Sequence, residues 1–254
     1  MSARNIYFIS DLHLGAGYIA DRRAHEARVV SFLNSIKDDA AALLLVGDVL
    51  DYWYEYRKVV PRGYVRFFGA LAMLADRGVD IYWFTGNHDV WLFDYLRDEI
   101  GITVVRRATT LTFNGREYFV SHGDDVGRQP FTSRVLYGLF HSRVAQWFYA
   151  AVHPRWTVPL ATAWSKSNRT SRSAEQVERG IERSVAHLKE FAERHLAEHP
   201  ATAGYIFGHL HLARQDTLAS GVTVTFLGDW IDQDTYACLT PDGTITLHHF
   251  SAQK

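Results

Sequence analysis

The feature that most constrains the fold is a repeated order of elements in the first third of the chain. Short, continuously apolar runs at residues 6–10, 41–46 and 81–85 alternate with amphipathic, helix-like segments at residues 22–36 and 64–77. Strands without polar alternation suit a sheet that is buried on both faces, and alternation with helices indicates parallel pairing. The sequence therefore predicts an α/β fold.

The rest of the chain changes character twice. The sequence predicts a hairpin with an Asn-Gly turn over residues 109–121, a helical stretch over residues 131–199, and β-structure over residues 205–250. The length of 254 residues and the 47% hydrophobic content are typical of one globular domain, which we place at residues 1–254. Within it we expect an inserted helical cap at about residues 128–172.

The charge balance and the cysteine content limit the partners and the compartment. The chain has 27 Lys and Arg against 28 Asp and Glu, so no whole-molecule field attracts nucleic acid and no such partner is predicted. A single cysteine, Cys238, forms no intramolecular disulfide and fits a reducing compartment. Because neither a signal-peptide core nor a membrane-length apolar run is visible, we expect a cytoplasmic protein, soluble or peripheral.

Metal-capable side chains stand where five of the predicted strands end. The carboxyl ends of parallel strands share one edge of a sheet, so residues far apart in sequence can form one site there. The candidate ligands are Asp11, His13, Asp48, Asn87, His122, His209 and His211. They are too many for one tetrahedral ion, which favours two divalent ions bridged by a carboxylate, with Asp48 as the candidate. Imidazole and oxygen ligands without thiolate suit Mn, Fe or Zn.

Other interpretations of these residues exist. A lone Asp-x-His or His-x-His is more often an ordinary polar pair than a metal site, but five such strand ends in order argue for a site. A metal-binding scaffold that recruits partners without catalysis is a second alternative. It predicts a broken ligand set, whereas no ligand position is missing in this sequence.

The ordered motifs resemble those of the calcineurin-like metallophosphoesterases. The matching blocks are Asp11-Leu12-His13, Gly47-Asp48-Val49-Leu50-Asp51, Gly86-Asn87-His88-Asp89, His122-Gly123-Asp124 and Gly208-His209-Leu210-His211. The resemblance implies a four-layer αββα sandwich that hydrolyses a phosphate ester or anhydride. It implies one metal on Asp11, His13, Asp48 and His211, and a second on Asp48, Asn87, His122 and His209. It also implies that His88, oriented by Asp51, donates a proton or stabilises the transition state.

One branch of the family is similar over most of the chain: the UDP-2,3-diacylglucosamine diphosphatases of lipid A synthesis, in their Bacteroidetes-type version. Residues 47–63 and 227–230 carry this likeness. The resemblance implies a lipid-linked nucleotide sugar as substrate, two metal ions expected to be Mn, and products UMP and 2,3-diacylglucosamine 1-phosphate. The substrate contacts that it implies are Asn87, His88, Ser165, Arg169, Arg172 and His209, with Arg169 where the family has Asn.

Two questions stay open at this level. The apolar segment 131–164 fits either a cap that binds acyl chains or the inner membrane surface, or a helix pair that buries itself against the core. The substrate is then either the acylated UDP-sugar or a soluble nucleotide diphosphate derivative or other phosphodiester. A nuclease is disfavoured because the cap lacks a stripe of Lys and Arg with interleaved aromatics. The sequence leaves the oligomeric state undetermined.

Overall fold

A computed structural model describes residues 4–127, 138–140, 142–157, 159 and 174–251 of the chain. The strands are β1 (Asn5–Ile9), β2 (Ala40–Val46), β3 (Asp80–Phe84), β4 (Thr103–Val105), β5 (Thr109–Phe113), β6 (Arg116–Ser121), β7 (Thr202–Phe207), β8 (Ala213–Thr217), β9 (Thr223–Leu227), β10 (Thr235–Leu239) and β11 (Ile245–His249). The helices are α1 (Arg22–Ser35), α2 (Val65–Asp76), α3 (Tyr95–Ile100), α4 (Arg143–Ala151) and α5 (Ala174–Glu198).

The strands form two sheets. The six-stranded sheet has the order β11-β10-β1-β2-β3-β4, and the five-stranded sheet has the order β5-β6-β7-β9-β8. In the first sheet β1, β2, β3 and β4 pair in parallel, and β10 joins β1 in antiparallel fashion. In the second sheet β6, β7 and β9 are parallel. The second sheet thus has antiparallel pairs at both edges, whereas the first has them only on the β11 side and ends in the parallel strand β4.

Three buried clusters separate four layers. The side chains of β1 alternate, with Ile9 packing among the residues of α1 and α2, and Phe8 packing between the two sheets. On the far side, Phe207 of β7 packs against Val185 and Leu188 of α5. The order of layers is helices, sheet, sheet, helix, so the predicted αββα sandwich is confirmed.

The sequence-based interpretation missed the elements that have the weakest signals. α3 and β4 are too short to show a period. β8 is an edge strand with the polar sequence Ala-Arg-Gln-Asp-Thr, and it forms because β9 offers it an antiparallel partner. Tertiary pairing therefore outweighs local propensity in this strand.

α4 lies within the predicted cap. Its side toward the core is held by the Tyr52 hydroxyl, 3.0 Å from that of Tyr149, and by the Tyr54 hydroxyl, which donates to the Gln146 carbonyl at 2.7 Å. Most of residues 128–172, including Ser165, Arg169 and Arg172, lies outside the described residues, so the cap boundaries stay a prediction. In the part of the chain that is described, no helix has the length and apolarity to cross a membrane.

Candidate metal centre

The carboxyl ends of strands from both sheets bring the expected ligands together. Asp11 and His13 follow β1, Asp48 follows β2, His122 follows β6, and His209 and His211 follow β7. They form two adjacent groups, Asp11 with His13 and His211, and Asp48 with His122 and His209. Within each group the nearest ligand atoms all lie within 4.8 Å of one another, so each can converge on one cation.

Asp48 stands between the two groups. Its Oδ2 atom is 3.4 Å from Nε2 of His122 in its own group and 3.7 Å from Nε2 of His13 in the other. Its Oδ1 atom accepts the backbone N–H of His88 at 2.9 Å, which orients the carboxylate. This is the position that a bridging carboxylate requires.

The backbone at the ligand positions is strained in a consistent way. Asp11, His13, Asp48, His209 and His211 all adopt positive φ, between 44° and 69°, although none is glycine. A side chain in the left-handed region costs free energy, and such residues cluster at functional sites, where the surrounding structure holds them. The turns after β1, β2 and β7 thereby direct these side chains toward one point.

Two glycines leave room for the ligands. A Cβ atom at Gly47 would overlap the ring of His122, and one at Gly86 would overlap the carboxylate of Asp48. Gly47 also has a φ of 81°, which an L side chain rarely adopts. These close approaches are the reason why glycine precedes Asp48 and follows β3.

Hydrogen bonds orient three of the imidazoles. Nδ1 of His122 lies 2.9 Å from the Val46 carbonyl oxygen, which accepts and never donates, so Nδ1 carries the proton and Nε2 faces the centre. Nδ1 of His13 is 3.2 Å from Oδ1 of Asp51, and Nδ1 of His211 is 3.2 Å from Oδ2 of Asp229. Such acceptors behind an imidazole are typical of metal-binding histidines.

The buried polar atoms of the centre fit a cation. Among the described residues, Oδ1 of Asp11 and Nε2 of His13 are buried and have no hydrogen-bond partner. Unpaired buried polar atoms are costly unless another group satisfies them. Both atoms face the metal groups, and a donor set of carboxylates and imidazoles suits a divalent ion.

The electrostatics of the second group are those of a charge pair. Burial opposes ionisation, but His122 and His88 hold the pKa of Asp48 well below its usual range, and Asp48 raises the pKa of His122 well above its usual value. Burial and the neighbouring His122 lower the pKa of His209 to about 4. Because Nδ1 of His209 is 3.3 Å from Nε2 of His122, a cation between these nitrogens would satisfy both.

His88 and Asp51 lie beside the two groups. Nδ1 of His88 is 3.1 Å from the carbonyl oxygen of Asp51 and 3.5 Å from its Oδ1 atom. Nε2 is 3.9 Å from Oδ2 of Asp48, and the side chain is 22% exposed. The ring is therefore held by one nitrogen and presents the other to the centre, next to solvent. Asn87, between Gly86 and His88, is exposed.

Two carboxylates had no assigned role in the sequence analysis. Asp229 follows β9, contacts His211, and accepts the backbone N–H groups of Ile231 and Asp232 at 3.0 Å each. Burial raises the pKa of Asp229, but its hydrogen bonds, with that to His211 the largest contributor, together outweigh burial and lower this pKa to about 2. The sequence does carry a signal for Asp229, because Gly228-Asp229 ends an apolar run just as Gly47-Asp48 does.

Asp89 is the second of these carboxylates. Fully buried, it accepts the Val49 N–H at 3.0 Å, the Trp83 indole N–H at 3.0 Å and the Gly86 N–H at 2.7 Å. It thereby ties the turn after β2 to the turn after β3. Burial and the nearby Asp48 raise the pKa of Asp89 to about 6.

With this fold and this site, the chain belongs to the calcineurin-like phosphoesterase family, whose pattern it matches over residues 4–213. It is 42% identical over 249 residues, 94% of each chain, to UDP-2,3-diacylglucosamine hydrolase of Porphyromonas gingivalis. It is 25% identical over 237 residues, 93% of this chain and 94% of the relative, to the protein of that name from Shewanella sp. strain MR-4.

Among solved structures, a dimetal phosphatase from Danio rerio covers 98% of this chain and 99% of its own at 13% identity and a TM-score of 0.48. That likeness is too weak to add to the family assignment. The predicted resemblance to Bacteroidetes-type relatives is confirmed by the P. gingivalis protein. A metallophosphoesterase fold with clustered His and Asp ligands is that of a metal-dependent hydrolase.

Proposed function

We propose that this protein hydrolyses the pyrophosphate bond of UDP-2,3-diacylglucosamine to UMP and 2,3-diacylglucosamine 1-phosphate, a step of lipid A synthesis. The observation that carries the proposal is the 42% identity over 94% of both chains to a hydrolase named for this substrate. The two ligand groups support it, because an intact site is what a catalyst needs and a recruiting scaffold does not.

The residues that would hold two divalent ions, with Mn as our expectation, are those of the two groups together with Asn87. Asp11, His13, Asp48 and His211 would bind one ion, and Asp48, Asn87, His122 and His209 the other. When bound, such ions neutralise phosphoryl charge and acidify a water molecule. The chain itself supplies fixed ligand positions, because the strained turns and the acceptors Asp51, Asp229 and Val46 hold the side chains in place.

His88 is the proposed proton donor, with Asp51 as its positioning residue. The Asp51 carbonyl accepts from Nδ1 of His88, which leaves Nε2 facing the centre. In the imidazolium form His88 also carries a proton at Nε2, and transfer of that proton to the leaving phosphate oxygen as the P–O bond breaks would leave the ring neutral. Contacts to the sugar phosphate from Asn87, His88, His209, Ser165, Arg169 and Arg172 belong to the same proposal.

We further propose peripheral contact with the cytoplasmic face of the inner membrane, where a diacylated substrate lies. α4 supports this, because Val144, Trp147 and Phe148 share an exposed side of the helix, with Trp147 68% exposed. Arg143 at its start adds a positive charge near lipid phosphates. Aromatic and basic residues on one exposed side are typical of interfacial helices.

The test is UMP release from UDP-2,3-diacylglucosamine by the purified protein with added Mn. UDP-N-acetylglucosamine and bis-p-nitrophenyl phosphate serve as controls that lack the acyl chains. We expect strong preference for the acylated substrate. Equal or faster hydrolysis of the controls would keep a metal-dependent phosphoesterase but refute the acylated substrate, in favour of a soluble nucleotide derivative or another phosphodiester.

A further inference from the structure

An arginine-rich cavity of about 1030 Å³ opens next to the metal centre. Asp51, which contacts His13 and His88, forms part of its wall, so the cavity adjoins the ligand groups. The basic residues that line it are Arg22, Arg23, Arg62, Arg66, Arg155 and His153. None of the proposed metal ligands or cap contacts is among these basic residues, so the proposed function assigns them no role.

Among the described residues, the basic side chains of the cavity outnumber the acidic ones. Its acidic lining residues are Glu26 and Asp51. Glu26 accepts the Phe67 backbone N–H at 3.1 Å, and Asp51 is engaged with the imidazoles of the centre. Within the described ranges, no carboxylate forms an ion pair with the guanidinium of Arg23, Arg62 or Arg66. The cavity therefore has an excess of positive charge.

Two of these arginines lie at the amino termini of helices. Arg23 is in the first turn of α1, beside Arg22 and the N-cap residue Asp21, and Arg66 is in the first turn of α2, which contains no acidic residue. A helix has a partial positive charge at its amino terminus, so a cation there is unfavourable. Both helix ends line the cavity. The dipole of α2 adds to the positive potential of the arginines, whereas at α1 the Asp21 carboxylate offsets part of the helix dipole. A site that binds an anion accounts for cations at both of these helix ends.

Aromatic rings form another part of the wall. Tyr52, Tyr56 and Tyr64 line the cavity, and Tyr64 is held at a φ of 60° although it is not glycine. Tyrosine faces stack against a planar base, and arginine forks bind phosphate oxygens. The combination suits a nucleoside phosphate better than an acyl chain, which would leave the guanidinium groups without a counter-charge.

We infer that this cavity binds the nucleoside monophosphate half of the substrate, with the phosphate at the Asp51 end beside the metal centre. The inference rests on the proposed function, since it assigns one half of that pyrophosphate to a place. It makes Arg23 and Arg66 contributors to substrate affinity through the charge of the nucleotide.

The experiment measures UMP binding by calorimetry to the Mn-loaded protein, with uridine and inorganic phosphate as comparison probes. The variant is Arg23→Gln/Arg66→Gln, and the control is Arg183→Gln, at an exposed arginine on α5. We expect the double variant to weaken UMP binding by about tenfold or more and to flatten its dependence on salt. It should not lower the melting temperature, because it removes cations from helix amino termini. The control should bind UMP as the wild type does.

Kinetics separate this inference from the function on which it rests. On UDP-2,3-diacylglucosamine the double variant should raise KM by about tenfold or more. Hydrolysis with a UMP affinity and a KM equal to those of the wild type would overturn the cavity assignment and leave the function intact. A raised KM with unchanged UMP affinity would also overturn it, in favour of the acylated half. Arginine-dependent UMP binding without hydrolysis would refute the function and support the cavity.

Discussion

At the scale of single residues, the centre depends on side chains that the backbone holds in strained positions. Asp48 connects the two ligand groups from a residue with a φ of 51°. His13, His122 and His211 each have an acceptor behind the ring. Ligand identity and ligand orientation are thus separate contributions, and they can be tested separately.

Asp48→Asn tests the bridging role with little change of shape. Asn tolerates the left-handed backbone, so the fold should be retained, whereas the lost negative charge should prevent two cations from binding together. We expect the rate of hydrolysis to fall by at least about a hundredfold. We also expect the purified variant to hold less metal than the wild type. Activity assays together with elemental analysis of the purified variant check this. Wild-type metal content and activity in Asp48→Asn would exclude a bridging carboxylate at this position.

Asp229→Asn tests orientation without changing a ligand. The carboxylate lies behind His211, and loss of such a partner weakens metal binding by about 10- to 100-fold. Mn titration of the metal-free protein measures this affinity. Asp232→Asn, three residues further on at an exposed carboxylate, is the matched control and should bind Mn normally. Equal Mn affinity of the two variants would show that Asp229 has no part in positioning His211.

At the scale of elements, α4 differs from the other helices of the described chain. Its core side is fixed by the Tyr54 hydroxyl, which donates to the Gln146 carbonyl, and by the Trp91 ring, whose centroid lies 4.5 Å from that of Tyr149. Its other side exposes Val144, Trp147 and Phe148. A helix that leaves large apolar side chains exposed to water gives up hydrophobic stabilisation, which contact with a membrane would restore.

Trp147→Ser/Phe148→Ser should weaken binding to vesicles that contain anionic lipids. Each large side chain contributes about 1.5–3 kcal/mol when fully buried, so a loss of about tenfold or more is expected. Co-sedimentation with vesicles measures it, and hydrolysis of bis-p-nitrophenyl phosphate, which needs no membrane, serves as the control. Undiminished vesicle binding by the variant would assign membrane contact to another surface.

At the scale of the whole molecule, α1 is joined to the segment after β9 by a buried histidine. Nε2 of His25 lies 2.8 Å from the Trp230 carbonyl, and Nδ1 is buried without a hydrogen-bond partner among the described residues. Burial and the nearby Arg28 lower the pKa of His25 from 6.5 to about 4. Between about pH 4 and pH 6.5, His25 is therefore protonated in the unfolded chain and neutral in the folded one. The resulting stability is complete above about pH 6.5 and is lost as the pH falls toward 4.

His25→Leu should make the fold less sensitive to acid. The free energy of unfolding of the wild type should fall by about 2 kcal/mol between neutral pH and about pH 5 through this residue alone. The variant should lose that part of the pH dependence, although at neutral pH it is weakened by the lost bond to Trp230. Denaturant unfolding at both pH values, on metal-free samples, provides the comparison. An unchanged pH dependence in His25→Leu would mean that His25 does not carry this acid sensitivity.

Local chemistry along the chain was enough to predict an α/β fold and the candidate ligands at the strand ends, whereas the four layers came from the resemblance of the ordered motifs to a known family. Apolar runs that end in Gly-Asp or Gly-His mark buried strands and the turns after them, because both features depend on neighbouring residues in the sequence. The tertiary structure alone decided which side chains meet. It placed Asp229 behind His211, made a polar edge strand of Ala213–Thr217, and gathered the first-turn arginines of α1 and α2 around one cavity. These are contacts between residues distant in the chain, and sequence periodicity carries no information about them because it depends on neighbours only.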